Sequence, residues 1–178
     1  LPRVTQHQVR AITTAELSRF LQAIDGKQFR NIFFIDIFSG LRLSEILGLR
    51  WDDVDFDYDC IYVRQQLQQK QIKGDFSYFL APPKEGKQRK IILAQNAMQV
   101  LRHQRAKQLE QRLAAGALWD NSFHLVFTND FGQPLNRRTV YKHLKRILLD
   151  CGMGNYTFHS LRHSFATISL ENGDDIKT

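Results

Sequence analysis

Apolar residues in this chain recur mainly at helical spacing, with an interval of strand-like composition in the middle. Thr13 and Glu16 form a capping-box pair that opens a helix over TTAELSRFLQAI. FRNIFFIDIFSG follows, apolar nearly all round, and predicts a helix buried on every side. Its glycine turns the chain into the helical segment LRLSEILGLRW. After an aspartate-rich turn, CIYVRQQL is rich in β-branched and aromatic residues and predicts a strand. FSYFLAP and QRKIIL predict two more, joined by PKEGK, whose proline and glycine suit a turn. A long helix is expected over 95–114, a short buried stretch at LVFT (125–128) and a loop at NDFGQPL. Asn136 then caps RRTVYKHLKRILLDCG, which ends at Gly152, and FHSLRHSFATISLENG forms the last helix, stopped by Gly173. LPRVTQHQVRAI (1–12) has no helical period and reads as a linker, leaving 13–178 as the folded unit. The expected class is mainly α with a small three-stranded antiparallel sheet (α+β). There is no internal repeat and no low-complexity tract, although QQLQQKQ is glutamine-rich.

Composition narrows the partner. The 178 residues, 43% hydrophobic, suit one domain with its own core. A net charge of +7 suits a polyanion, and the charge is uneven. Residues 84–107 hold seven basic side chains against one acidic, whereas WDDVDFDYD (51–59) holds five aspartates. Two cysteines, Cys60 and Cys151, are too few for a disulfide framework and fit a reducing cytoplasm. No apolar run reaches membrane-spanning length and no signal peptide is visible, so a cytoplasmic protein is expected. The chain opens at Leu1 and stops soon after Gly173, and reads as a piece of something longer.

Three polar features interrupt the apolar pattern. In FHSLRHSFAT (158–167), His159, Arg162 and His163 fall on one helical face, while Phe158, Leu161, Phe165 and Ile168 fall on the other. That face suits an anion; a solvated basic face is the bland alternative. Zinc is disfavoured, because Ser160 stands where the zinc-protease helix has glutamate and no third ligand is evident, so no metal is expected. The second feature is Arg42 with Glu45, three residues apart on one helical side, which also fits an ordinary structural ion pair. The third is Lys84 in a hairpin turn, a position that is usually just solvated. A DNA-binding module with helix 136–150 in the major groove explains the charge but not the wide separation of Arg42, Lys84 and Arg162. A metal-dependent nuclease is disfavoured, since no carboxylate cluster lies outside the aspartate turn.

The order of these features carries a resemblance. SGLRLSEILGLRWDDVDF (39–56), the looser P-K-x-G-x-x-R at 83–89 and FHSLRHSFAT together resemble the catalytic domain of the tyrosine recombinases, the phage-integrase family, from about residue 12 onward. The resemblance implies that family's catalytic-domain fold and cleavage of DNA by a tyrosine hydroxyl, through a 3′-phosphotyrosine intermediate. That intermediate keeps the bond energy for religation, so no cofactor is implied. Arg42 and Arg162 would clamp the scissile phosphate, because a guanidinium fork matches two phosphate oxygens. His159 would manage the nucleophile's proton, and Lys84, with Lys87 as runner-up, would protonate the departing 5′ oxygen. Glu45 would orient the clamp and His163 would support it.

Double-stranded DNA is the implied partner, with assembly of the full-length protein into a tetramer upon it. Arg137, Arg138, Lys142, Lys145 and Arg146 on the helix capped by Asn136 suit phosphates, and Lys87, Arg89 and Lys90 extend that track. Integration and excision of a phage or conjugative element is the expected role, favoured by the glutamine-rich run; resolution of chromosome dimers is the alternative. The family's nucleophilic tyrosine follows the second arginine, whereas Tyr58, Tyr62, Tyr78, Tyr141 and Tyr156 all precede Arg162. The nucleophile is therefore absent from this chain, which is expected to be inactive alone, and the family's upstream core-binding domain is absent too.

Overall fold

A computed structural model describes residues 12–72, 75–84 and 86–162. Residues 1–11 of the expected linker, His163, Phe165, Ile168 and the stop at Gly173 lie outside them. Ile12, the linker's last residue, is buried in the core.

Helix α2 (Arg30–Ser39) is the centre of the domain, with every residue from 32 to 37 buried. Helices α1 (Thr14–Ile24), α3 (Leu43–Leu47) and α4 (Gln95–Ala115) pack against it, and α5 (Arg137–Asp150) closes on α1 and α3. The capping box forms as expected: the Glu16 amide N–H donates to Thr13 Oγ1 at 3.3 Å, and the Thr13 amide N–H to Glu16 Oε2 at 2.9 Å. Asn136 Oδ1 accepts from the Arg138 and Thr139 amides at the start of α5. That helix ends at Asp150, two residues before the glycine expected to stop it.

The buried stretch 125–128 has few backbone partners of its own, and glutamines from α4 supply them. Gln104 and Gln108, both buried, donate to the carbonyls of Leu125 and Val126, and Gln108 Oε1 accepts from the Trp51 indole at 2.7 Å. A buried carbonyl left unpaired costs free energy, so these glutamines stabilise the segment that pairs with Leu49 and Arg50.

The strands depart from expectation. The run CIYVRQQL is two strands, β2 (Cys60–Val63) and the start of β3 (Gln66–Ile72). Strand β2 lies between β1 (Val54–Asp55) and β5 (Arg89–Ile92) in a three-stranded antiparallel sheet. The glutamine-rich segment is β3 itself, paired with β4 (Asp75–Ala81) in a separate two-stranded ribbon. The break has a local cause. Arg64 donates to Asp53 Oδ1 at 3.0 Å, and Gln65 Nε2 donates to Asp53 Oδ2 and to the Gly48 carbonyl. These bonds pull the chain out of β2's line and lay β3 on α3.

Gly48 permits that contact. A Cβ there would stand 2.5 Å from the Leu67 backbone nitrogen and 2.8 Å from the Gln66 carbonyl carbon, and backbone cannot swing aside. Gly48→Ala is expected to destabilise the domain by about 1–3 kcal/mol, read as a lower urea midpoint at unchanged slope. A neutral effect would mean that α3 and β3 separate readily.

Candidate active site

Gly40 ends α2 in the left-handed conformation (φ 59°), and the next two residues run into α3. Arg42 is extended, at φ −73° and ψ 146°, so its side chain leaves from the N-terminus of α3 rather than from its flank. Glu45, one turn in, folds back to accept from the Arg42 amide at 2.9 Å. The same carboxylate accepts from Arg42 Nη1 at 3.3 Å. From the sheet, Arg89 adds a two-pronged contact, with Nη1 to Oε1 at 3.2 Å and Nη2 to Oε2 at 2.7 Å. The Glu45 side chain is 0% exposed, whereas Arg42 and Arg89 each keep about a third of their side-chain surface in water.

Arg162 approaches from the other end of the chain. Thr157 and Ser160 exchange amide-to-hydroxyl hydrogen bonds, which start a helical turn over 158–162. Phe158 and Leu161 are buried beneath it, Phe158 against the rings of Phe33 and Tyr141. The opposite side of the turn carries exposed His159 and half-buried Arg162. Arg162 Nη1 is buried and has no hydrogen-bond partner among the described residues.

Electrostatics tie these groups together. Burial raises the Glu45 carboxyl, but the Arg89 hydrogen bonds, the Arg42 amide and the two arginine charges outweigh it and hold Glu45 below the usual carboxylate range. Burial pushes the Arg162 guanidinium down, Arg42 and Arg89 push it further, and Glu45 and Asp36 oppose them. Two guanidiniums thus bond to one buried carboxylate, and a third feels its charge. Such an array suits a bidentate oxyanion.

Arg42 bonds to Glu45, and the Arg162 guanidinium lies within range of the charges of both. Lys84 is exposed in the turn before β5, where the Gly86 amide donates to the Pro83 carbonyl at 2.8 Å; Lys87 is exposed too. Arg137, Arg138 and Lys142 are exposed on the first turns of α5 and line one groove with Gln68 and Tyr78 of the β3–β4 ribbon. Sequence reasoning put Arg89 on a DNA track and missed its grip on Glu45, which only strand register reveals. It also passed over Asp36, the one charge inside FFIDIF, which is visible in the sequence as an interruption of an apolar run. Among the described residues no helix is long and apolar enough to cross a membrane.

The fold is that of tyrosine recombinase catalytic domains. It superposes on the Tn1549 transposon integrase, solved with transposon right end DNA, at a TM-score of 0.78 and 21% identity over 98% of this chain and 57% of that one. The XerH recombinase bound to palindromic difH gives a TM-score of 0.64 at 26% identity, over 93% of this chain and 43% of that one. The chain belongs to the phage integrase family, whose sequence model matches residues 3–178. Relatives include a XerC-like tyrosine recombinase of Caldanaerobacter subterraneus, 28% identical over 96% of this chain and 46% of the relative. The tyrosine recombinase XerC of Chlamydia trachomatis is 30% identical over 98% of this chain and 47% of the relative. The chain spans about half the length of the curated relatives it matches.

Glu45→Ala is expected to cost roughly 2–3 kcal/mol at pH 7, since it leaves two half-buried arginines facing each other without a counter-charge. The carboxyl titrates lower folded than unfolded. Its contribution is therefore complete above the ordinary glutamate value of about 4.3 and fades as pH falls through that value toward the folded one. Denaturant titrations from pH 7 to pH 3 should show a shallower acid loss for Glu45→Gln than for wild type. Parallel curves would remove Glu45 from the acid limb.

Proposed function

We propose that this chain is the catalytic domain of a site-specific DNA recombinase that cleaves and rejoins strands through a 3′-phosphotyrosine, in integration and excision of a phage or conjugative element. The observation that carries the reading is the pairing of Arg42 and Arg89 with one buried carboxylate, Glu45, with the half-buried Arg162 guanidinium within range of its charge. Arg42 and Arg162 clamp the non-bridging oxygens of the scissile phosphate, whose negative charge grows in the pentavalent transition state. Glu45 and Arg89 brace the clamp from behind. His159, exposed one helical turn before Arg162, manages the proton of the tyrosine, and Lys84 protonates the 5′ oxygen, with Lys87 as the alternative. His163 supports the second arginine. The partner is double-stranded DNA, on which the full-length protein assembles as a tetramer in the cytoplasm of a bacterial host. Chromosome-dimer resolution is the second reading and uses the same chemistry.

Phosphate contacts from α5 and the hairpin dominate binding in this reading. Duplex affinity should fall steeply with salt and depend little on sequence. Replacing Arg137 and Arg138 by Ala should weaken all duplexes alike and flatten the log–log salt slope by about one for each phosphate no longer neutralised. A salt-independent affinity would argue against a phosphate-tracking surface.

The polypeptide of residues 1–178, whose five tyrosines all precede Arg162, should form no covalent DNA adduct. The full-length protein should trap one on a nicked suicide duplex in EDTA. There, Arg42→Ala or Arg162→Ala should slow cleavage by ~10²–10³-fold, as expected for loss of one preorganised donor. The Lys84→Ala defect should shrink when the 5′ leaving oxygen is replaced by sulfur, which departs without a proton. Were it equally slow on that substrate, the general acid would be another group, Lys87 first. Strict dependence on added metal would overturn the recombinase reading.

A further inference from the structure

The turn between β4 and β5 carries Lys84, and both of its ends are tied to one short helix, α3. Gln66 makes the upstream tie. It is 9% exposed at the head of β3, where it pairs with Ala81 of β4, and a buried amide needs partners at both of its ends. Its Nε2 donates to the Pro82 carbonyl at 2.8 Å, and its Oε1 accepts from Ser44 Oγ of α3 at 3.1 Å. Arg89 makes the downstream tie, opening β5 and gripping Glu45 of α3 with both terminal nitrogens. Ser44 and Glu45 adjoin in the helix that Arg42 begins. Lys84 itself is exposed on a flexible four-carbon stem, so the backbone beneath it sets where its ammonium can reach.

We propose that Gln66 is a positioning residue for Lys84: its amide relays from Ser44 to the Pro82 carbonyl and so holds the lysine turn in register with Arg42. The β3–β4 ladder stops at Ala81, because Pro82 has no N–H with which to extend it. The Gln66 side chain supplies the next bond, at the point where the chain would otherwise swing away from the ribbon. Arg89 alone would leave the turn hinged at β5; the second tie removes that freedom. A general acid must lie within hydrogen-bond reach of the departing oxygen, while the clamp fixes the phosphate, so the placing of turn against clamp decides proton transfer. Both ties end on the helix that starts at Arg42, and a shift of α3 carries grip and acid together. The relay is hidden in the sequence, since Gln66 stands in a glutamine-rich run and its partners lie 22 and 16 positions away.

The inference rests on the general-acid reading of Lys84, and one set of measurements separates the two. Single-turnover cleavage by the full-length protein is followed on a nicked suicide duplex and on the same duplex with sulfur as the 5′ leaving atom, alongside thermal unfolding. Gln66→Met keeps the length of the side chain and removes its donor and acceptor. It should slow cleavage of the all-oxygen duplex on the order of 10²-fold, the penalty of a misplaced group, yet match wild type on the sulfur duplex, which needs no proton. Arg42→Ala should stay slow on both, because the clamp serves either leaving atom. Adding Gln66→Met to Lys84→Ala should cost nothing beyond Lys84→Ala alone. If Gln66→Met does not fold, Ser44→Ala, which cuts the relay at α3, should give the same sulfur-rescued defect at smaller size. Wild-type cleavage of the all-oxygen duplex by the folded variant, equal slowing on both duplexes, or additive losses with Lys84→Ala would overturn the proposal. Were Lys84→Ala itself not rescued by sulfur, the general-acid reading would fall first, and the inference with it.

Discussion

The Glu45 carboxylate is the interaction on which the site depends. It accepts from the amide and guanidinium of Arg42 and from both terminal nitrogens of Arg89, and Arg162 feels its charge. At an effective dielectric of about 20, two unit charges 4 Å apart interact by about 4 kcal/mol, whatever their signs. One carboxylate therefore offsets repulsion among the arginines without neutralising all of them. The group stays cationic while its geometry is held. That suits a site for an oxyanion.

The placing of that carboxylate follows from plain features of the chain. Gly40 turns the chain at the end of a helix buried all round, Arg42 is extended at the next helix's start, and Glu45 lies where a capping carboxylate folds back. Gly48 then ends α3 and lets β3 approach to a distance that no side chain allows. The ribbon and the arginine segment are fixed to each other by backbone packing, not by flexible side chains.

The helices were legible because each has its own signal: the Thr13 and Asn136 caps, the all-apolar α2, the glycine at its end. The arginine pair was legible through motif order, since neither Arg42 nor Arg162 distinguishes itself locally from a surface charge. The strand arrangement was not legible. CIYVRQQL has continuous strand composition, and only the bonds from Arg64 and Gln65 to Asp53 and Gly48 break it. Arg89 was read as one cation in a basic run because its partner, Glu45, is 44 positions away. Asp36 stood in plain view, but an apolar pattern averages over one polar residue.

The members of the arginine cluster come from three distant points of the chain: the turn after α2, strand β5 and the turn at 158–162. Synthesis runs from N- to C-terminus, and domains fold as units during it. Arg42, Glu45 and Arg89 are made before α4 and α5, the helices that pack on α2 and α3, so the cluster takes shape only once those helices and Arg162 have followed. A chain ended before α5 would lack both the third arginine and the helix that packs on α1 and α3. The cluster is thus a property of the folded domain and of no shorter stretch of it.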